Sequence, residues 1–262
     1  MTPPFSHRLV VHLLGSAFEL QTDHADTFAD VQRLWQPFLA TDGAAVDAAV
    51  VRLDQPSAPE RLEHFATAVN AAALDAAPHF AAHAGVVAHA GVAVAMPAVS
   101  GTGKSTMTAA CLRRGFQYVS DEALCLSYQD GAVVPYPRPI GLSSWSAKAV
   151  GAAGGGTAAV GESLFTAEDL GSARHAGLAR LRHVVVLERS APGGPVLVPE
   201  SRPGGVTLLL QQSFNHYRRG ADALRLAAEV IADAQLWTLR YSDPLEAADL
   251  LWTTFAEDAA TS

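Results

Sequence analysis

The stretch that most restricts how this chain can fold is AMPAVSGTGKST, residues 95–106. Two apolar runs, split at His89-Ala90-Gly91, lead into it, and a helix-forming segment follows it. Ser100, Gly101, Thr102, Gly103, Lys104, Ser105 and Thr106 supply what a phosphate chain needs. Glycines let the backbone wrap closely around an anion. A helix beginning near Gly103 would turn its N–H groups and positive dipole end toward that anion. Lys104 would reach the terminal phosphates, and the Ser105 hydroxyl would hold a magnesium ion. The leading position of the usual G-x-x-x-x-G-K-[ST] pattern is Ala98, so the backbone there is expected not to need a positive φ. A strand, loop and helix in this order predict an α/β fold with a nucleotide site at residues 98–106.

The loop alone does not distinguish an ATPase, a GTPase and a kinase. Seventeen residues after Lys104, the FQYV segment ends in Ser120-Asp121-Glu122. That interval holds one helix, a turn and one strand, which can return an acid to the sheet edge that carries the loop. One carboxylate could take a proton from an attacking hydroxyl while its neighbour helps to hold Mg²⁺. A solvated turn bearing two acids would fit the spacing as well. Glu188, which ends the apolar run RHVVVLE, offers a competing ATPase-like acid that would polarise water.

The remainder of the chain reads as alternating elements. Residues 8–14 and the following AFEL predict a strand pair, 25–39 a helix, 48–53 a strand and 60–76 a second helix after Pro56 and Pro59. These form a small α+β unit over 1–78, with the nucleotide-binding domain over 79–262. Met107, Ala110 and Cys111 define one face of the helix after the loop, which Gly115 ends. Residues 149–161, AVGAAGGGTAAVG, predict a flexible loop. Leu224, Ala227, Ala228 and Ile231 mark an amphipathic helix, and LWTLRY a last strand. Asp243-Pro244-x-Glu246 starts a closing helix with Leu245, Ala248, Trp252 and Phe255 on one face.

A formal net charge of -8 argues against a nucleic-acid partner, whose binding would need a basic face. Cys111 and Cys125 form neither a C-x-x-C pair nor a disulfide framework and read as small buried hydrophobes. No apolar run approaches the ~18 residues of a membrane span, and the N-terminus lacks a signal pattern, so a cytoplasmic location is expected.

Three stretches together resemble the C-terminal domain of HPr kinase/phosphorylase and its relatives, a group related in fold to phosphoenolpyruvate carboxykinase. HAGVV is similar to that family's histidine-bearing strand, with His83 lying 21 residues before Lys104. SGTGKST is similar to its loop, and GFQYVSDEAL to its acidic segment. PYPRPIGL, with Arg138, looks like the Pro-Arg segment of related kinases. The resemblance covers roughly residues 80–250 and implies an ATP- and Mg²⁺-dependent kinase. It implies Asp121 as catalytic base, Glu122 beside Ser105 on the metal side, Lys104 and Arg138 on the transferring phosphate, and His83 beside the loop. Glu122 stands where the family has a second aspartate. The family's Leu-Glu-Val-Arg-Gly signature is missing, and with it a glutamate that would help to bind metal. In ESRPGG, which carries Arg202, Gly205 replaces an arginine tied to the reverse, phosphorylase reaction. The first ~80 residues do not look like the bifunctional enzyme's N-terminal domain. The pattern is closer to relatives found with ribosomal-peptide biosynthesis and implies a serine hydroxyl on a peptide or protein as acceptor, with a homo-oligomer possible. A small-molecule kinase of the same fold and a non-catalytic ATP-binding adaptor remain as alternatives.

Overall fold

A computed structural model of the chain describes residues 5–40, 47–98, 101–201 and 203–256. It is a mixed α/β structure with seven α-helices among those residues. No helix among them is long and apolar enough to cross a membrane.

The chain opens with β1 (His7–Leu13) and β2 (Ser16–Thr22), an antiparallel pair. Next come α1 (Ala25–Leu34) and β3 (Ala49–Leu53), which pairs in parallel with β2. The expected helix over 25–39 stops at Leu34, because Pro37 cannot continue the ladder and a 3-10 turn follows instead. The second helix, α2 (Ala58–Ala76), begins two residues before its expected start. Pro59 sits in its first turn, where a missing N–H costs nothing, and Ser57 and Glu60 form a capping box.

The central sheet begins with the hairpin β4 (Phe80–His89) and β5 (Val92–Pro97). Ala90 and Gly91, at φ 47° and 82°, make its turn. There follow α3 (Lys104–Arg114), β6 (Gln117–Ser120), β7 (Ala123–Leu126), β8 (Val133–Val134) and β9 (Ile140–Leu142). After these come α4 (Ser144–Ala149), β10 (Thr157–Ala158), β11 (Ser163–Phe165) and β12 (Arg180–Arg189). The chain continues through β13 (Val196–Glu200), α5 (Pro203–Gln211), α6 (Ala221–Asp233), β14 (Gln235–Tyr241) and α7 (Pro244–Phe255). The main sheet runs β13-β14-β12-β5-β4-β7-β8, with β6 also paired to β4. β12 is parallel to both β5 and β14, and the remaining pairs are antiparallel.

Burial divides the molecule into layers. One face of the sheet packs on α3 and α7 through Val94, Met107, Leu239 and Leu251. The other packs on α5 and α6 through Val86, Val184, Leu209 and Ile231. The first three strands and α1 and α2 enclose Leu20, Trp35 and Phe65, and that core continues into Ala81, Cys125 and Tyr136. The α3 helix has no single apolar face, since Thr106 through Leu112 are all buried. Gly115, at φ 121°, ends it as its position predicts.

Three expected features need correction. Leu224 is 52% exposed, whereas Ala223, Leu226, Ala227, Val230 and Ile231 form the buried stripe of α6. Leu245, at the start of α7, is likewise partly exposed at 39%, while Ala247 and Leu251 fill that face beside Ala248 and Phe255. The glycine-rich stretch is not wholly loop. Ala149 closes α4, and Thr157-Ala158 forms β10 because β11 supplies a partner edge.

Candidate phosphate-binding and acid site

β5 is buried along its whole length and feeds the loop, while α3 leaves it at Lys104. Gly101 and Gly103 adopt φ of 83° and 97°, in the left-handed region. An L side chain is strained in that region. Ala98 does not need it: among the described residues only Leu14, Asp47 and Ala90 are non-glycines with positive φ. The first α3 hydrogen bond runs from Met107 N–H to the Gly103 carbonyl, so the N–H groups of the first turn lie outside the helical ladder. Lys104 Nζ donates to the Ala98 carbonyl at 3.0 Å. Burial lowers the Lys104 pKa, while Glu122 and Asp121 oppose that shift. Ser100 and Arg202 lie outside the described residues.

The acid pair sits at a break between two strands that share one partner. β6 pairs with the second half of β4 and β7 with the first half, so Asp121 and Glu122 occupy the step between them. The Ser120 hydroxyl holds this step by accepting from the N–H of Glu122 (3.2 Å) and of Ala123 (3.0 Å). Across the step, Ala84 N–H donates to the Glu122 carbonyl at 3.1 Å. A Cβ on the neighbouring Gly85 would lie 2.4 Å from Thr108 Oγ1, so glycine there lets α3 lie directly on β4. The helix start and the acid pair are thereby brought together.

The resulting contacts are specific. Ser105 Oγ donates to Asp121 Oδ2 at 3.1 Å. The Tyr118 phenol lies 3.0 Å from Asp121 Oδ1 and 2.7 Å from the Arg138 carbonyl, and it accepts from Asp121 N–H at 3.1 Å. Arg138 Nη1 pairs with Glu122 Oε2 at 2.9 Å, and its Nε lies 3.9 Å from Asp121 Oδ1. Asp121 is 3% exposed, and burial raises its pKa against the lowering effect of Arg138. Arg138, far from being a surface arginine, is held charged by Asp121 and Glu122. Burial, with Lys104 next, pushes His83 down to about 4, so its ring is neutral near pH 7.

A cavity of about 450 Å³ joins His83, Gly101, Gly103, Lys104, Ser105, Thr106, Asp121 and Glu122. A second, of about 320 Å³, shares Ser105, Asp121 and Glu122 with it and reaches Arg138, Glu162 and the α2 residues Glu63, Thr67 and Asn70. Tyr118, on β6 three residues before Asp121, reads in the sequence as one more apolar strand position, and Trp145, Arg189 and Glu162 reach the site through separate elements with no local signal. Glu188 does not line either cavity; one residue before the end of β12, it forms an exposed pair with Arg240 at 3.0 Å. His89 packs edge-on against Trp252. Cys111 and Cys125 are buried, unpaired by any disulfide, and pushed up to about 12.

No group of three or more metal-ligating side chains forms among the described residues. Magnesium does not require one, since it takes one or two carboxylates and completes its shell with phosphate oxygens and water. Ser105 and Glu122, on the same cavity, fit that modest donor set. No protein-family model matches the chain, and no curated protein matches it.

Proposed function

We propose that the protein is an ATP-dependent phosphotransferase of the HPr kinase-like type, with a P-loop kinase core, that moves the γ-phosphoryl group to a serine hydroxyl of a peptide or protein. The observation that carries this reading is the 3.1 Å hydrogen bond between Ser105, on the first turn after the glycine loop, and the buried Asp121. In-line transfer needs a phosphate cradle and a general base to meet at one point, and the contact between Ser105 and Asp121 supports giving them those places.

Residues 98–106 would hold the polyphosphate, with Lys104 on its terminal oxygens. Bound Mg²⁺ would neutralise phosphate charge, and Ser105 and Glu122 are the groups that would hold it. Asp121 accepts the proton of the acceptor hydroxyl as its oxygen bonds to the γ-phosphorus and the bond to the β-γ bridging oxygen breaks. Its raised pKa suits that role, because a base nearer neutrality holds the proton better. Arg138 faces both acids and opposes the burial that raises the Asp121 pKa. The cavity on the α2 side of Asp121 gives the acceptor an approach separate from the nucleotide. Its bounded size also suits a small hydroxyl compound, the second reading.

Labelled γ-phosphate tests this directly. The protein with Mg²⁺, γ-labelled ATP and a cell extract depleted of small molecules should label a peptide or protein. Lys104→Ala and Asp121→Asn should both abolish the label. Tight ATP binding with no labelled macromolecule would sink the peptide-kinase version and send the assay to free hydroxyl compounds. Function that survives Asp121→Asn would instead favour an adaptor.

A further inference from the structure

Three side chains from three elements form a stack beside the phosphate-binding loop. Innermost is Tyr241, at the end of β14, fully buried, with its hydroxyl 3.1 Å from where a Cβ on Gly103 would stand. The Arg189 guanidinium, at the end of β12, covers the Tyr241 ring at 5.2 Å and the Trp145 ring at 4.9 Å. Its Nη2 is 3.5 Å from that same Gly103 position. Trp145 is outermost, on the first turn of α4, and is 56% exposed. Arg189 and Trp145 line the same cavity as Lys104 and Ser105.

The stack is tied to the loop and does not merely lie near it. Thr106 Oγ1 donates to Ser146 Oγ at 2.9 Å, and Ser143 caps α4 by accepting from Ser146 N–H at 3.1 Å. Trp145 is therefore fixed one residue from a direct bond to the phosphate-binding helix. The order from the loop outward is cation, then open aromatic face. A nucleoside triphosphate has the matching order, polyphosphate and then base.

We propose that Trp145 and Arg189 form the nucleoside arm of this site, with Arg189 facing the polyphosphate and the open face of Trp145 stacking on a purine base. This rests on the nucleotide-binding reading above and goes beyond it in the selectivity it dictates. Stacking accepts any base because every base has a π-face. The site therefore takes ATP and GTP with similar affinity and binds a polyphosphate without a base more weakly.

Calorimetric titration of the full chain with ATP, GTP and inorganic tripolyphosphate tests the assignment. In the wild type, ATP and GTP should bind within severalfold of each other. Trp145→Ala should weaken both by about tenfold, the fold-change that roughly 1.4 kcal/mol of stacking represents, and leave tripolyphosphate unchanged. Trp145→Phe should restore most of the loss. Unchanged ATP affinity in Trp145→Ala, an equal loss for tripolyphosphate, or rejection of GTP by a hundredfold would each overturn the proposal. If neither ATP nor tripolyphosphate binds the wild type, the nucleotide reading falls and takes this arm with it. If both bind and Trp145→Ala changes nothing, only the arm falls.

Discussion

The Ser105 hydroxyl donates a hydrogen bond to Asp121 Oδ2 at 3.1 Å, joining the first turn of α3 to the step between β6 and β7. These residues come from consecutive elements, yet they meet only because β4 pairs with both β6 and β7 and lies under α3. Gly85 permits that contact, and Ser120 fixes the direction of the step.

Asp121→Asn keeps the shape of that contact and removes the proposed base. Phosphoryl transfer should fall by about 10²–10⁴-fold, the usual contribution of a positioned general base. Nucleotide binding should change little, since the loop and Lys104 are untouched. Single-turnover transfer measured beside ATP titration checks both halves. Loss of binding equal to the loss of transfer would mean that Asp121 serves the nucleotide and not the acceptor.

Tyr118→Phe should move the acid limb of kcat/KM to higher pH. Burial raises the Asp121 pKa, and the hydrogen bond from the Tyr118 phenol lowers it by favouring the ionised carboxylate. Removing the phenol leaves burial less opposed, so the pKa rises further and more of the base is protonated at a given pH. A pH profile of kcat/KM for the variant, with KM for ATP as a control, reads this shift. A limb that stays in place or moves down contradicts the coupling.

Much of this site was legible in the sequence, and the reason is local. The glycines at 101 and 103 answer a backbone requirement, and Lys104, Ser105, Asp121 and Glu122 are chemical types at an interval set by one helix and one strand. The hairpin at Ala90-Gly91 and the cap at Asp243 are likewise local signals. Tyr118 read as one more apolar strand position, because nothing in FQYV says that its hydroxyl reaches Asp121. Trp145, Glu162 and Arg189 reach the cavities through separate elements, so only tertiary packing relates them to the loop. Leu224 misled for the opposite reason: an apolar residue one step off the buried stripe looks the same in a short window.

Gly85→Ala tests the packing that brings helix and acids together. The new Cβ would stand 2.4 Å from Thr108 Oγ1, and Thr108 sits in a fully buried turn of α3 with little room to retreat. Over-packing of this kind costs about 1–3 kcal/mol. Urea unfolding should show that loss, and nucleotide affinity should fall with it as α3 lifts from β4. The double change Gly85→Ala with Thr108→Ala should recover most of both. A variant of unchanged stability would mean that the helix is not held by this contact.

His83→Gln tests whether the neutral histidine beside the loop shapes the acid sensitivity of the fold. Burial pushes its pKa down to about 4 in the folded chain, against about 6.5 for an unperturbed histidine. Its contribution to stability is therefore present in full above about pH 6.5. As pH falls from there toward 4, the unfolded chain takes up a proton that the folded chain refuses, and the contribution is lost. The effect on the unfolding equilibrium constant is at most about tenfold per pH unit. Glutamine keeps a polar side chain of similar reach without that proton site. Urea unfolding of both proteins at pH 7.5 and pH 5 should show wild type losing more stability than His83→Gln over the interval. Comparing the two proteins cancels His79, whose pKa burial also lowers and which is present in both. Equal losses would mean that His83 is protonated in the folded chain as readily as in the unfolded one.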